Sequence, residues 1–251
     1  MNNIHPISKI HLQELQKLHQ KKFRKTEQKV VVEGWNLIEQ LIYNRIYPME
    51  IITSQPDMLQ GKLIEQDCRF YSALEHEIAK LADTETPQPI LAVYPIPEFN
   101  LTNYQIILYL DGIQDPGNLG TIFRIAASFN LDGIALSPTC CEVFSPKVIR
   151  ASLGSVFWIP SISADANWLH AQKAEKVGLI AKSKTKLCEL SLAKAKQVII
   201  VIGSEGNGIG TEVGAELTHE VSIPISRQME SLNAAVAAGI AVYEISRAFS
   251  C

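Results

Sequence analysis

Two stretches of this chain are apolar without interruption: Ile106-Ile107-Leu108-Tyr109-Leu110 and Val198-Ile199-Ile200-Val201-Ile202. A strand with one face in water alternates apolar and polar side chains, so a run with no alternation predicts a strand buried on both faces. Such strands need helices above and below them, which is the setting of a parallel sheet. The intervening sequence agrees. Strand patterns at 133–136 and 178–181 alternate with helical patterns at 122–129 and, closing the chain, 231–249. An α/β fold with a mostly parallel C-terminal sheet is therefore expected.

The N-terminal part reads differently. Leu12, Leu15, Leu18 and Phe23 among lysines and glutamines predict one amphipathic helix over 11–29, followed by a strand at 30–32, a helix at 36–43 and a strand at 51–52. The polar, proline-bearing stretch from Pro95 and Pro97 to Asn103 reads as a linker. The expected organisation is a domain over 1–95, a linker over 96–103 and a second domain over 104–251.

At 251 residues, 47% hydrophobic and 20% charged, the chain has the means to bury a core, so disorder is not the default expectation. A net charge of -3 makes no overall case for a nucleic-acid partner. The charge is uneven, however: the first thirty residues hold seven basic groups against two acidic ones. Lys21, Lys22, Arg24 and Lys25 are candidates for phosphate contact there, against the plainer alternative of a solvated helix face. Five cysteines without a C-x-x-C pair predict reduced thiols and no metal site. The polar start lacks a secretory pattern, and the longest apolar stretch, 234–245, falls short of the ~20 residues a membrane span needs. A cytoplasmic protein without membrane association is expected.

Three loops carry residues suited to chemistry. The first runs from Asp111 through Pro116-Gly117-Asn118 to Arg124, where Asn118 is placed to cap a helix and Arg124 lies in its early turns. The second, Gly203-Ser204-Glu205-Gly206-Asn207-Gly208, follows the buried run ending at Ile202. Its glycines let backbone fold closely round a ligand, while Glu205 suits it poorly to phosphate. The third leads from Ile223-Pro224 to Ser231-Leu232-Asn233, with Ser231 as the candidate cap of a helix rich in small residues. Each alone also reads as a turn, a cap or a flexible loop. None matches a dinucleotide or P-loop phosphate fingerprint.

In that order and spacing, N-x-G-x-x-x-R, then G-S-E-G-x-G, then I-P with S-L-N, the three loops resemble the signature motifs of the SpoU/TrmH family of RNA 2′-O-ribose methyltransferases. Arg24 with Val32-Glu33-Gly34, Thr86-Pro87-Gln88, and Pro146-Lys147 with Arg150 and Ser152-Leu153-Gly154 match as well. Asn130 stands where glycine is usual, and asparagine tolerates a left-handed backbone. The resemblance implies a C-terminal domain of the SPOUT type threaded into a deep trefoil knot, and an N-terminal RNA-binding domain of ribosomal-protein type. It implies a homodimer, ribosomal or transfer RNA as substrate, and S-adenosylmethionine as methyl donor. By that match, Ile202, Gly203, Glu205, Gly206, Gly208, Ile223, Pro224, Ser231, Leu232 and Asn233 hold the donor. Arg124 is the implied catalytic residue, supported by Asn118, Glu205, Ser231 and Asn233, and Arg150 joins the RNA-binding set.

Arginine keeps its proton up to about pH 12 and is a poor base. The expected role of Arg124 is to grip the phosphate beside the target ribose and stabilise the emerging oxyanion, with Glu205 orienting either Arg124 or a polar group of a partner. Two other classes compete: a catalytically silent RNA-binding or ribosome-associated protein of the same fold, and a nucleotide-binding oxidoreductase, which the missing dinucleotide fingerprint argues against.

Overall fold

The computed structural model describes residues 4–59, 67–226 and 228–249. It divides into two compact units, one formed by 1–98 with 144–157, the other by 99–143 with 158–251.

In the first unit the elements are β1 (Ile4–Pro6), α1 (Lys9–Lys17), α2 (Lys21–Glu27), β2 (Lys29–Glu33), α3 (Trp35–Tyr43), β3 (Glu50–Thr53), β4 (Arg69–Ser72), α4 (Glu75–Leu81) and β5 (Ile90–Pro95). The sheet order is β1-β4-β3-β5-β2, parallel over β1-β4-β3 and antiparallel at β5. Leu12, Leu15 and Leu18 pack with Ile78 and Leu81 on Ile52, Leu91 and Val93 of the sheet. The helix expected over 11–29 is two helices. Leu18 ends the first, and Arg24 reaches back to donate to the carbonyls of Leu18 (2.6 Å) and His19 (2.7 Å), closing the corner.

The Glu33-Gly34 and Thr86-Pro87-Gln88 motifs form one device here. Glu33 accepts from the amides of Asp83 (3.2 Å) and Gln88 (3.0 Å) and from the Thr84 hydroxyl, fastening the loop before β5. Gly34 starts α3 at φ +96°, a conformation side chains rarely adopt.

The second unit comprises β6 (Ile106–Asp111), α5 (Pro116–Ser128) and β7 (Gly133–Leu136), then, after the 144–157 excursion, β8 (Ser161–Ser163), α7 (Ala166–Ala171) and β9 (Glu175–Leu179). It continues through β10 (Val198–Gly203), α8 (Thr211–Gly214), β11 (His219–Val221) and α9 (Ala234–Phe249), while α6 (Pro146–Ala151) lies in the excursion and so in the first unit. The sheet, β11-β9-β10-β6-β7-β8, is parallel at every pairing. The two apolar runs are its adjacent central strands, β6 and β10, with Leu108, Tyr109, Ile199 and Ile200 fully buried. Asn130 sits at φ +51°, in the left-handed region its side chain tolerates.

Candidate active site

In a parallel sheet every strand points the same way, so the loops after β6, β10 and β11 leave from one edge. Asp111 and Gly203 are register partners at the ends of β6 and β10, and the Asp111 carboxylate accepts from the Gly210 amide at 2.7 Å, pinning the end of the glycine loop. That loop closes on itself through reciprocal 3.0 Å bonds between Ser204 and Gly208. A Cβ on Gly203 would stand 2.1 Å from the Gly208 carbonyl carbon, so no larger residue fits.

The cap of α5 is Asp115, whose carboxylate accepts from the Asn118 amide at 2.8 Å, and not Asn118 as expected. Asn118 is thereby released for another task. Its amide nitrogen donates to Glu205, and its oxygen accepts from the Asn233 amide nitrogen at 2.8 Å. Asn233 accepts in turn from the amides of Ala235 (3.0 Å) and Val236 (3.2 Å). The final helix consequently begins at Ala234, with Asn233 and not Ser231 at its cap. The relay Glu205–Asn118–Asn233 ties the three loops together.

Arg124 is exposed on α5, and among the described residues neither hydrogen bond nor ion pair engages its guanidinium. Glu205 binds Asn118 and not Arg124, one of the two groups it was expected to orient. Ser231 is exposed and makes no hydrogen bond among the described residues, and Ile202 is buried at the end of β10. Among the described residues Ile223, Pro224 and Ile225 make no main-chain hydrogen bond, and space is open above Gly206 and Gly208. Free amides and carbonyls, like an open glycine loop, suit a flat heterocycle read by backbone groups.

The basic residues separate. Lys21, Lys22 and Lys25 are exposed on α2. Arg24 is buried in its corner, and Arg150 is paired with Asp83 at 3.0 Å, so these two serve the fold of the first unit. Sequence reasoning missed Asp111 and Asp115. The D-P-G turn before Asn118 was the available signal, since aspartate is as good a cap as asparagine.

The model of the SpoU rRNA methylase family matches residues 105–243, more than half of the chain. The chain belongs to the SpoU rRNA methylase family. A second model, the MRM3-like substrate binding domain, matches residues 9–92. Among family relatives, the 23S rRNA (guanosine(2553)-2′-O)-methyltransferase RlmP of Bacillus subtilis is 31% identical over 91% of this chain and 93% of its own. An uncharacterized tRNA/rRNA methyltransferase of Synechocystis is 31% identical over 94% of this chain and 90% of its own. A solved TrmH-family structure from Porphyromonas gingivalis has 32% identity and a TM-score of 0.86, covering 96% of this chain and 98% of that one. An AdoMet-bound rRNA methyltransferase from Sinorhizobium meliloti, at 24% identity, shares the fold with a TM-score of 0.83. SpoU membership makes the chain an RNA methyltransferase of the SPOUT fold, the fold expected above.

Proposed function

We propose that this protein transfers a methyl group to the 2′-hydroxyl of a ribose in ribosomal RNA. S-adenosylmethionine supplies an electrophilic methyl on a sulfonium. The free backbone of 223–225 and the glycine loop 203–208 are the groups we assign to its adenosine, together with Ser231 and Leu232. The 2′-O target is the chemistry that the name of the Bacillus relative carries, and the substrate-binding model over the first unit supports a large structured RNA.

The observation carrying this reading is the pairing of a free cation with a fixed amide relay. A ribose hydroxyl becomes a nucleophile only as it loses its proton, and negative charge then grows on the oxygen. An exposed guanidinium grips the neighbouring phosphate in two places and faces that charge. The relay holds the three loops in register, so little reorganisation accompanies the reaction. The proton leaves to the phosphate or to water.

Single-turnover methylation of rRNA stripped of protein tests it. Arg124→Ala should lose roughly 10²–10³ in rate with donor affinity and fold unchanged, the size expected for removing one preorganised charge. Arg124→Lys keeps the charge without the planar fork and should be nearly as slow. Alanine activity within a few-fold of wild type would remove Arg124 from the reaction.

A further inference from the structure

A second concentration of positive charge lies at the same edge of the second sheet. After β9 the chain turns through 180–186, where Lys182, Lys184 and Lys186 are all exposed. The residues between them hold the turn in place. Ser183 donates its hydroxyl to the Glu220 carbonyl at 2.8 Å, and its carbonyl accepts from the Ser222 hydroxyl at 2.9 Å. The Ser222 amide donates to the Thr185 carbonyl and the Leu187 amide to the Ser222 carbonyl, each at 2.9 Å. These bonds fasten the turn to β11 and to the residue immediately before Ile223.

Lys186 lies 3.5 Å from Glu189 and is partly neutralised. Among the described residues Lys182 and Lys184 have no acidic partner within ion-pair distance. Five consecutive residues thus carry three cations and no acid, in a chain whose net charge is -3. Like charges clustered on a turn repel one another and contribute nothing to its hydrogen bonds, which come from serine and backbone. Their natural complement is a regularly spaced polyanion.

We propose that the 182–186 turn is an RNA-docking surface of the catalytic unit, contacting the phosphodiester backbone beside the methylated nucleotide. The proposal rests on the rRNA-methylating reading above. Because the turn is fastened to the strand that leads into the donor loop, RNA held by Lys182 and Lys184 is held in a fixed relation to the donor. Lysine acts there as a point charge, so the turn carries affinity and placement and leaves base choice to other groups.

The test is an anisotropy titration of a fluorescent single-stranded RNA against the full-length protein over a series of salt concentrations. The Lys182→Ala/Lys184→Ala variant should bind roughly ten-fold or more weakly at low salt, and its log–log salt slope should shrink by roughly 1.4, about 0.7 for each phosphate no longer neutralised. Donor affinity and melting temperature should stay as in wild type while KM for rRNA rises. The Lys182→Arg/Lys184→Arg variant should bind like wild type. A slope and affinity equal to wild type in the alanine variant overturn the proposal. So does weaker binding with an unchanged slope, since that loss would not run through phosphates. An acidic protein competing for the turn while RNA does not would also overturn it. If the double alanine variant fails to fold, Lys184→Gln decides the matter with half the change. Wild-type protein that binds RNA but methylates none sinks the function proposed above and leaves this surface standing, whereas normal methylation with an unmoved slope sinks only the surface.

Discussion

Asn233 uses its side-chain oxygen to cap α9 and its amide hydrogens to hold Asn118. The two tasks separate by substitution. Asn233→Ala removes both and should lower stability by about 1 kcal/mol, seen as a melting point a few degrees down, along with most of the activity. Asn233→Asp retains a good cap but sets a carboxylate against the Asn118 oxygen, close to Glu205. It should melt near wild type and still methylate poorly. Equal activity in the Asp variant and wild type would show that the relay is structural only. The site residues were legible in the sequence as types and spacing, because glycine, asparagine and arginine at those intervals have few other uses together. Their partners were not. Asn118 and Asp115 are equally good caps three residues apart, and only the folded loop shows that Asp115 takes the role and frees Asn118. Arg24 reads as a phosphate ligand because its neighbours are lysines, while its burial depends on where α1 stops.

At the scale of elements, α9 has two faces. Ala234, Ala235, Ala238 and Ala241 are buried, and Gly239 lets Ile125 of α5 approach to 3.4 Å of where a Cβ would stand. These small residues serve packing inside the unit. Val236, Ile240 and Tyr243, one helical stripe, remain 51%, 40% and 58% exposed, with Phe129 set edge-on to Tyr243. An apolar stripe in water is the surface we propose a second copy covers. Ile240→Glu should then give a monomer by light scattering at micromolar concentration, with an unchanged melting temperature when diluted. A wild-type monomer under the same conditions would rule the stripe out as a dimer interface. The sequence showed this helix by its apolar periodicity and both central strands by their unbroken apolar runs, because such patterns survive without tertiary context. It placed the helix start three residues early, since Ser231 and Asn233 are both capping types.

At the scale of the whole molecule, stability should depend on alkaline pH. Burial pushes the Cys68 thiol up to about 12 and that of Cys141 to about 11, from an ordinary value near 9.0. A thiol whose pKa is higher folded than unfolded contributes fully below the unfolded value. Above it the unfolded chain ionises while the native thiol stays protonated. Stability should therefore fall as pH rises from about 9 towards 12, and Cys68→Ala/Cys141→Ala should flatten that fall in urea titrations. A fall of the same steepness in the double variant would assign it to other groups. Sequence showed two regions of different character but not the excursion. Val148 and Ile149 of α6 fit any apolar surface, and nothing in their pattern says that they bury in the first unit.

That excursion changes how such a protein can be inherited and rebuilt. The chain passes from one unit to the other three times, at 98–99, 143–144 and 157–158. A cut through the proline stretch does not detach the N-terminal unit whole. It leaves behind Val148, Ile149, Val156 and Phe157, buried residues that belong to the unit it removes. Shuffling of ancestral genes at a single crossover would strand the same apolar surface. The N-terminal portion and its fourteen-residue graft from the middle of the SpoU-matched sequence must therefore change together, as two distant stretches of gene under one selection.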